Sequence, residues 1–126
     1  MKTKIAAAIL FAGIIAISAC KKGEGDGGKK KITGTVTYDD GFNVVNGIAP
    51  GATVFMTYGT LKATGTVDKT VTCDGIGTYT IKDLKKGQYF ISGEYITSDG
   101  FRYTTTGYGI TIPADKNSVE LNLRLH

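Results

Sequence analysis

From Ile32 to His126, apolar and polar side chains alternate along the chain with a period of two. The segment ITGTVTY, residues 32–38, places Ile, Gly, Val and Tyr on one side and three threonines on the other, and SVELNLRL, residues 118–125, alternates in the same way. Successive side chains of a strand point to opposite faces of a sheet, so this pattern is typical of strands buried on one face. No competing helical period is present in the sequence. The alternation therefore predicts an all-β protein.

Turn-forming residues divide this alternating region into short strands. Asp-Gly, Pro-Gly and Lys-Gly dipeptides recur between the apolar runs, and the segment from Pro113 to Asn117 has the same loop chemistry. We expect strands near residues 32–38, 52–58, 63–73 with a break at 68–69, 78–82, 88–97, 101–112 as one strand or two, and 118–125. About seven short strands with frequent turns predict a single antiparallel β-sandwich.

The first nineteen residues have the features of an export signal. Two lysines precede an apolar run, residues 5–19, that is interrupted only by one serine. The run is shorter than the roughly 20 apolar residues that span a bilayer, so an uncleaved anchor is the weaker interpretation. The tetrapeptide ISAC, residues 17–20, resembles the lipobox of bacterial lipoproteins. The resemblance implies that Cys20 is acylated on its sulfur and becomes the acylated N-terminus of the mature chain. An ordinary secreted protein cut near Ala19 is the alternative.

A charged, glycine-rich stretch follows Cys20. Residues 21–31 contain five lysines, two acids, four glycines and no apolar side chain, which predicts a flexible tether with a charge of +3. From Ile32 to His126 there are eight basic and nine acidic side chains, a charge of −1, so a nucleic-acid partner is not expected. The predicted division is a lipoprotein signal (1–19), an acylated cysteine with a flexible tether (20–31) and a β-sandwich domain (32–126).

The segment DGIGTYTIKDLKKGQYFI, residues 74–91, resembles the carboxypeptidase-regulatory-like or prealbumin-like sandwich domains, which include Cna-B-type modules. Its aspartate, glycine, aromatic and aliphatic residues stand at the spacing typical of that family, and APGATVFM and VELNLRL match flanking strands. The resemblance implies an Ig-like or prealbumin-like sandwich over nearly all of residues 32–126. Within this pattern we expect Tyr79 and Ile81 to face Tyr89 and Ile91 across a hairpin whose turn requires Gly87.

Residues that commonly carry catalysis or bind metals are scarce. The single histidine is the terminal His126, where a frayed end is a poor position for a catalytic base. Strand parity places Cys73 inward, as a small buried hydrophobe. The aspartates precede turn glycines and form no calcium-binding loop. We therefore expect no catalytic residue, no metal ligand, no cofactor and no enzymatic activity.

Two functions remain open. One is a non-catalytic, lipid-anchored module of the bacterial envelope that acts as a binding or spacer module, with an envelope protein or a glycan as its partner. The other is a carbohydrate-binding surface lipoprotein of a polysaccharide uptake system. The lipid bilayer, reached through Cys20, is the expected partner. The resemblance to bacterial lipoproteins implies the outer membrane, on either face, because Lys21 is not the aspartate that retains a lipoprotein at the inner membrane in the enterobacterial pattern. Phe55 and Phe90 have outward parity, and Phe101 and Tyr103 are further candidates for the same face. These aromatic residues either form a glycan platform or are scattered exposed side chains, some of them covered by a loop. The long loop 41–50 either contacts a partner or closes over one end of the core, through Phe42, Val44, Val45 and Ile48.

Overall fold

The computed structural model describes residues 24–39 and 47–126, and these residues form an all-β structure. Within these ranges there is no helix long and apolar enough to cross a membrane. The strands are β1 (Asp26–Tyr38), β2 (Gly47–Ile48), β3 (Thr53–Tyr58), β4 (Lys69–Thr72), β5 (Thr78–Leu84), β6 (Gly87–Ile96), β7 (Arg102–Thr104), β8 (Tyr108–Ile112), β9 (Ser118–Glu120) and β10 (Leu123–Leu125).

Strand β1 is the centre of the first sheet. Along one edge it pairs antiparallel with β5 and then with β2, in a register that places Ile32 opposite Ile81. Along the other edge it pairs parallel with β9 and β10. The predicted sandwich is confirmed, and its first sheet is mixed rather than purely antiparallel because the first and last strands run in the same direction.

A local irregularity divides the predicted strand 118–125 into β9 and β10. The Leu121 amide donates to the Thr33 carbonyl at 2.8 Å, whereas the Thr35 amide donates to the side-chain oxygen of Asn122 at 2.9 Å. Between them, a Cβ atom on Gly34 would lie 1.8 Å from the Leu121 carbonyl oxygen. Only glycine at position 34 leaves space for this close approach of two backbones.

The second sheet has the order β4-β3-β6-β7, and β8 also pairs with β6. All of its pairs are antiparallel, with Val54 opposite Gly93 and Tyr89 opposite Ile110. Strands β7 and β8 contact successive parts of β6, so the predicted segment 101–112 is two strands.

The predicted hairpin around Gly87 is wrong. Strand β5 pairs with β1 in the first sheet, whereas β6 pairs with β3 in the second, so the intervening turn carries the chain from one sheet to the other. The turn uses left-handed backbone at Asp83 (φ 60°) and Gly87 (φ 137°). Tyr79 and Tyr89 both point into the core, as expected, but they do so from opposite sheets.

The two sheets enclose one hydrophobic core. The parity prediction is confirmed for Cys73, which is 5% exposed, whereas Val119 and Leu121 are only half-buried. The buried apolar residues of the described chain are Ile32, Val36, Ala49, Ala52, Val54, Met56, Cys73, Tyr79, Ile81, Leu84, Tyr89, Ile91, Ile112, Leu123 and Leu125.

The first strand starts earlier than the sequence predicts. Strand β1 begins at Asp26, within the segment expected to be a tether, and its first half pairs with the end of β5. A Cβ atom on Gly28 would lie 2.0 Å from the Leu84 carbonyl oxygen, so glycine permits the two backbones to meet there. The composition rule for flexible segments considers only burial of apolar side chains. It misses a polar strand that is held by backbone hydrogen bonds to a neighbour.

Candidate functional site

Most of the residues predicted to bind a lipid or a partner lie outside the described residues. This applies to the lipid-attachment residue Cys20 and to Phe42, Val44 and Val45 of the long loop. Ile48 is described: it lies in β2 opposite Thr37 and is 49% exposed. The predicted roles of these residues remain predictions.

A groove lies on the outer face of the second sheet, which faces away from the core. It has a volume of about 220 Å³. Its floor consists of outward-facing side chains of β3 and β6, and its walls are the loop between β3 and β4 and the connection between β7 and β8. The lining residues are Phe55, Thr57, Ala63, Thr64, Gly65, Thr66, Val67, Phe90, Ser92, Thr105 and Thr106. We call this set the outer-face groove.

The two phenylalanines of the outer-face groove are diagonal neighbours on adjacent strands. Phe55 stands opposite Ser92, and Phe90 stands opposite Thr57. Residues related in this way are about 7–8 Å apart, within reach of aromatic side chains. Both rings are half-buried. Outward parity was visible in the sequence, but their juxtaposition depends on the β3–β6 register.

Phe90 is supported from below by a glycine. A Cβ atom on Gly107 would lie 2.3 Å from the ring of Phe90, and Gly107 has a left-handed φ of 103°. The ring therefore rests directly on the backbone of the β7–β8 connection. This contact limits how far the ring can move and fixes one wall of the groove.

The opposite wall is an ordered loop, where the sequence predicts part of strand 63–73. Only residues 69–72 form a strand. The Tyr58 amide donates to the Asp68 carboxylate at 2.8 Å, the Asp68 amide donates to the Met56 carbonyl at 2.8 Å, and the Thr57 hydroxyl donates to the Thr66 carbonyl. At the end of β3, the backbone is therefore bound by the side chain and the amide of Asp68 instead of by a continuous neighbouring strand. The resulting arch encloses the groove.

The chemistry of the outer-face groove is neutral. The described residues that line it carry hydroxyl groups, methyl groups and two aromatic rings, without a charged side chain. Hydroxyls both donate and accept hydrogen bonds, so they suit a ligand that does the same. Among the residues that the structure describes, no cluster of His, Cys, Asp or Glu could hold a metal ion.

The buried ionisable groups have the character of core residues. Burial, with a smaller contribution from Asp74, raises the pKa of the Cys73 thiol to about 11, so the thiol is protonated at neutral pH. A thiolate is the reactive form, and Cys73 therefore lacks the activation that a nucleophile needs. Burial, together with the nearby Asp26 carboxylate, likewise raises the pKa of Tyr58 to about 12.

Three tyrosines form a second aromatic cluster, at the end of the sandwich where β1 finishes. The Tyr38 ring centroid lies 5.1 Å from that of Tyr95 and 4.9 Å from that of Tyr103. All three pack against the core and are only partly exposed. Tyr95 of β6 and Tyr103 of β7 stand directly opposite each other, and Tyr38 is the last residue of β1. The available sequence signal was a tyrosine within each of these three strands. The cluster joins the two sheets, whereas Phe101 beyond it is 64% exposed.

Comparison with known proteins identifies relatives of the fold only. No family model matches the chain, and no curated protein matches it. BcpA, the major pilin subunit of Bacillus cereus, is similar in structure, with a TM-score of 0.54, 17% identity and coverage of 79% of this chain. A crystal structure described as a "putative carbohydrate binding protein" from Pseudomonas aeruginosa has a TM-score of 0.52 and 16% identity.

The extent of these matches differs between the two proteins. This chain spans 30% of the length of the pilin subunit but 90% of the length of the Pseudomonas aeruginosa protein. At identities this low, the structural similarity establishes only a shared fold, and the function has to be argued from the site. The comparisons therefore show that the chain has a β-sandwich fold that is also found in part of a pilin subunit and over most of the Pseudomonas aeruginosa protein.

Proposed function

We propose that this protein is a non-catalytic, lipid-anchored binding module of the bacterial envelope, and that the outer-face groove holds one sugar unit of a neutral glycan. The observation that carries the proposal is the uncharged groove itself, in which two phenylalanine rings lie among six hydroxyl-bearing residues. Apolar walls with a few polar groups are the usual composition of a small-molecule site.

The match between groove and ligand rests on the two faces of a sugar ring. Its C–H groups pack against an aromatic ring, here Phe55 or Phe90, and its hydroxyls exchange hydrogen bonds with side chains such as Ser92 and Thr106. A groove of about 220 Å³ is smaller than the roughly 300–1,000 Å³ of typical ligand pockets, so it suits one ring rather than a long oligosaccharide. The fold similarity to a protein described as a "putative carbohydrate binding protein" supports the same choice.

Glycan binding is tested with the chain that begins at Cys20, carrying Cys20→Ser so that it stays unacylated. We expect a neutral glycan on an array to bind, and Phe55→Ala or Phe90→Ala to weaken its affinity at least about tenfold, the loss of one stacked ring. Phe101→Ala is the matched control, because Phe101 is exposed and lies outside the groove. Equal affinity of all three variants would contradict the glycan site.

The anchor is tested separately. Cys20→Ser in the full chain should release the protein from the membrane fraction or leave the precursor uncut, because the thiolate of a cysteine is the nucleophile that accepts the lipid. Mass spectrometry of the mature N-terminus measures the modification directly. An unmodified Cys20, or cleavage at another residue, would contradict the anchor.

A second candidate is a spacer module, favoured by the structural similarity to the pilin subunit. A spacer would be anchored through Cys20 and would bind no glycan. The two experiments therefore separate the candidates: an acylated N-terminus with glycan binding supports the first, and an acylated N-terminus without it supports the second.

A further inference from the structure

Three segments meet at the end of the sandwich where the described chain begins. They are residues 24–31, 82–88 and 113–117. The Lys30 ammonium donates to the carbonyls of Ala114, at 3.0 Å, and Lys116, at 2.5 Å, and the Lys85 amide donates to the Gly25 carbonyl at 2.9 Å. We call these three segments the basic end.

Lysines are concentrated at the basic end. Its three segments contain seven lysines and four acids, a charge of +3. Asp68 and Lys69 lie next to the basic end, since the Lys69 ammonium is 2.9 Å from the Asp26 carboxylate. Their opposite charges cancel, so they leave the charge of +3 unchanged. Five of the seven lysines are exposed, on the β1, β5–β6 and β8–β9 segments: Lys29, Lys31, Lys82, Lys86 and Lys116.

The opposite end of the sandwich carries the other sign. Residues 39, 74–77, 94–104 and 124–126 contain four acids and two arginines, a charge of −2. Both arginines are already paired, Arg102 with Glu94 and Arg124 with Asp39. In the described domain, residues 24–39 and 47–126, positive and negative charge are thus separated along the strand direction. The small net charge of the domain does not reveal this separation.

The chain enters the domain through the basic end. Glu24 lies beside the start of β6, where its carboxylate accepts from the Gln88 amide at 3.4 Å. Cys20 is four residues earlier, so the two α-carbons are at most about 14 Å apart. This distance is close to the Debye length of about 10 Å at 0.1 M salt, so charges at the basic end still interact with a surface that holds Cys20.

We propose that the basic end is a docking surface for anionic phospholipid headgroups, and that it orients the sandwich with its strands pointing away from the membrane. The proposal rests on the anchor at Cys20 for its location, and on the charge and the chain entry point for its direction. In this orientation the acidic end faces away from the bilayer, and the outer-face groove opens sideways, clear of the lipid.

The interaction is tested without the lipid anchor. The probe is a large unilamellar vesicle of phosphatidylcholine and phosphatidylglycerol at two to one, compared with phosphatidylcholine alone, in about 0.1 M salt. The protein is the chain from Cys20 with Cys20→Ser; every buried apolar residue of the described core lies between Ile32 and Leu125, so this chain retains the core. Circular dichroism and thermal melting confirm that each variant is folded.

Two lysine-to-glutamate substitutions, which change the net charge equally, distinguish binding through the basic end from a general effect of net charge. Each lysine near an anionic surface contributes about fivefold to partitioning, so Lys86→Glu at the basic end should weaken binding to phosphatidylglycerol vesicles at least about tenfold. Lys62→Glu, on the exposed loop beside the outer-face groove, changes the charge equally and should weaken binding less than about threefold.

Three outcomes would overturn the proposal: equal losses for the two variants, equal binding to both kinds of vesicle, or no binding to either. Salt-sensitive binding to heparin without binding to vesicles would assign the basic end to a soluble polyanion instead, and would also overturn it. Because the protein in this assay carries no acyl chain and the vesicles carry no glycan, failure to bind them is distinguishable from failure of the anchor or of the glycan site.

Discussion

The Tyr89 hydroxyl connects the start of β1 to the turn between the two sheets, and we expect its removal to weaken this connection. The side chain is completely buried. Its hydroxyl accepts from the Gly25 amide at 2.9 Å and donates to the Lys85 carbonyl at 2.6 Å. The ring also makes an edge-to-face contact with Tyr58, with centroids 5.8 Å apart. Tyr89 is therefore both a core residue and the residue to which the first described part of the chain is attached.

Two substitutions separate these roles. Tyr89→Phe keeps the ring but leaves the buried Gly25 amide and the Lys85 carbonyl without the hydroxyl, which should cost about 1–3 kcal/mol of stability. Tyr89→Ala removes the ring as well and should cost about 3–5 kcal/mol. The total stability of a domain is about 5–15 kcal/mol, so the alanine variant is near the limit of folding.

Urea denaturation measures the difference. With a slope of about 2 kcal/mol/M, a loss of 2 kcal/mol lowers the midpoint by about 1 M. Tyr108→Phe is the control, because the Tyr108 side chain is 39% exposed and lies outside the buried core. Hydrogen exchange of the Gly25 amide should accelerate in Tyr89→Phe. If Tyr89→Phe matches the control in both measurements, the hydroxyl does not hold β1 and the reasoning is refuted.

Two further predictions concern the core and the divided last strand. Cys73 should resist thiol reagents in the native protein and react after denaturation. Burial raises the pKa of its thiol to about 11, so the stabilising contribution of this thiol is complete below about pH 9 and is lost as the pH rises toward 11. Thermal melts of Cys73→Ala at alkaline pH should lack this contribution to the loss of stability. Gly34→Ala should lower the unfolding free energy by about 1–3 kcal/mol, because its Cβ would meet the Leu121 carbonyl at 1.8 Å. Gly75→Ala, which meets nothing within 4 Å, should stay within about 0.5 kcal/mol in the same thermal unfolding assay.

Which side chains are buried could be predicted from the sequence. Tyr79, Ile81, Tyr89, Ile91 and Cys73 all point into the core, as their strand parity indicates. The reason is local: side chains of a strand alternate between two faces, so the polar set and the apolar set are separated as soon as the segment is extended. The all-β class and the approximate position of most strands follow from the same alternation and from the turn residues between the strands.

Strand partners could not be predicted in the same way. The sequence from Thr78 to Ile91 has the alternation and the glycine of a hairpin, yet β5 and β6 belong to different sheets. Both arrangements bury the same side chains, and the choice depends on β1 and β3, which are distant along the chain. Strand β1 itself extends back to Asp26 because β5 supplies hydrogen-bond partners that the local composition does not reveal.

The candidate sites show the same division. The sequence by itself determined that Phe55 and Phe90 face outward and that lysines are numerous near the start of the domain, because face and composition are properties of short segments. Only the tertiary structure placed those two rings side by side under the arch that Asp68 holds, and gathered lysines from three distant segments at the end where the chain enters. A groove and a charged surface are made by residues from different strands, and their formation requires the long-range backbone pairing that brings those strands together.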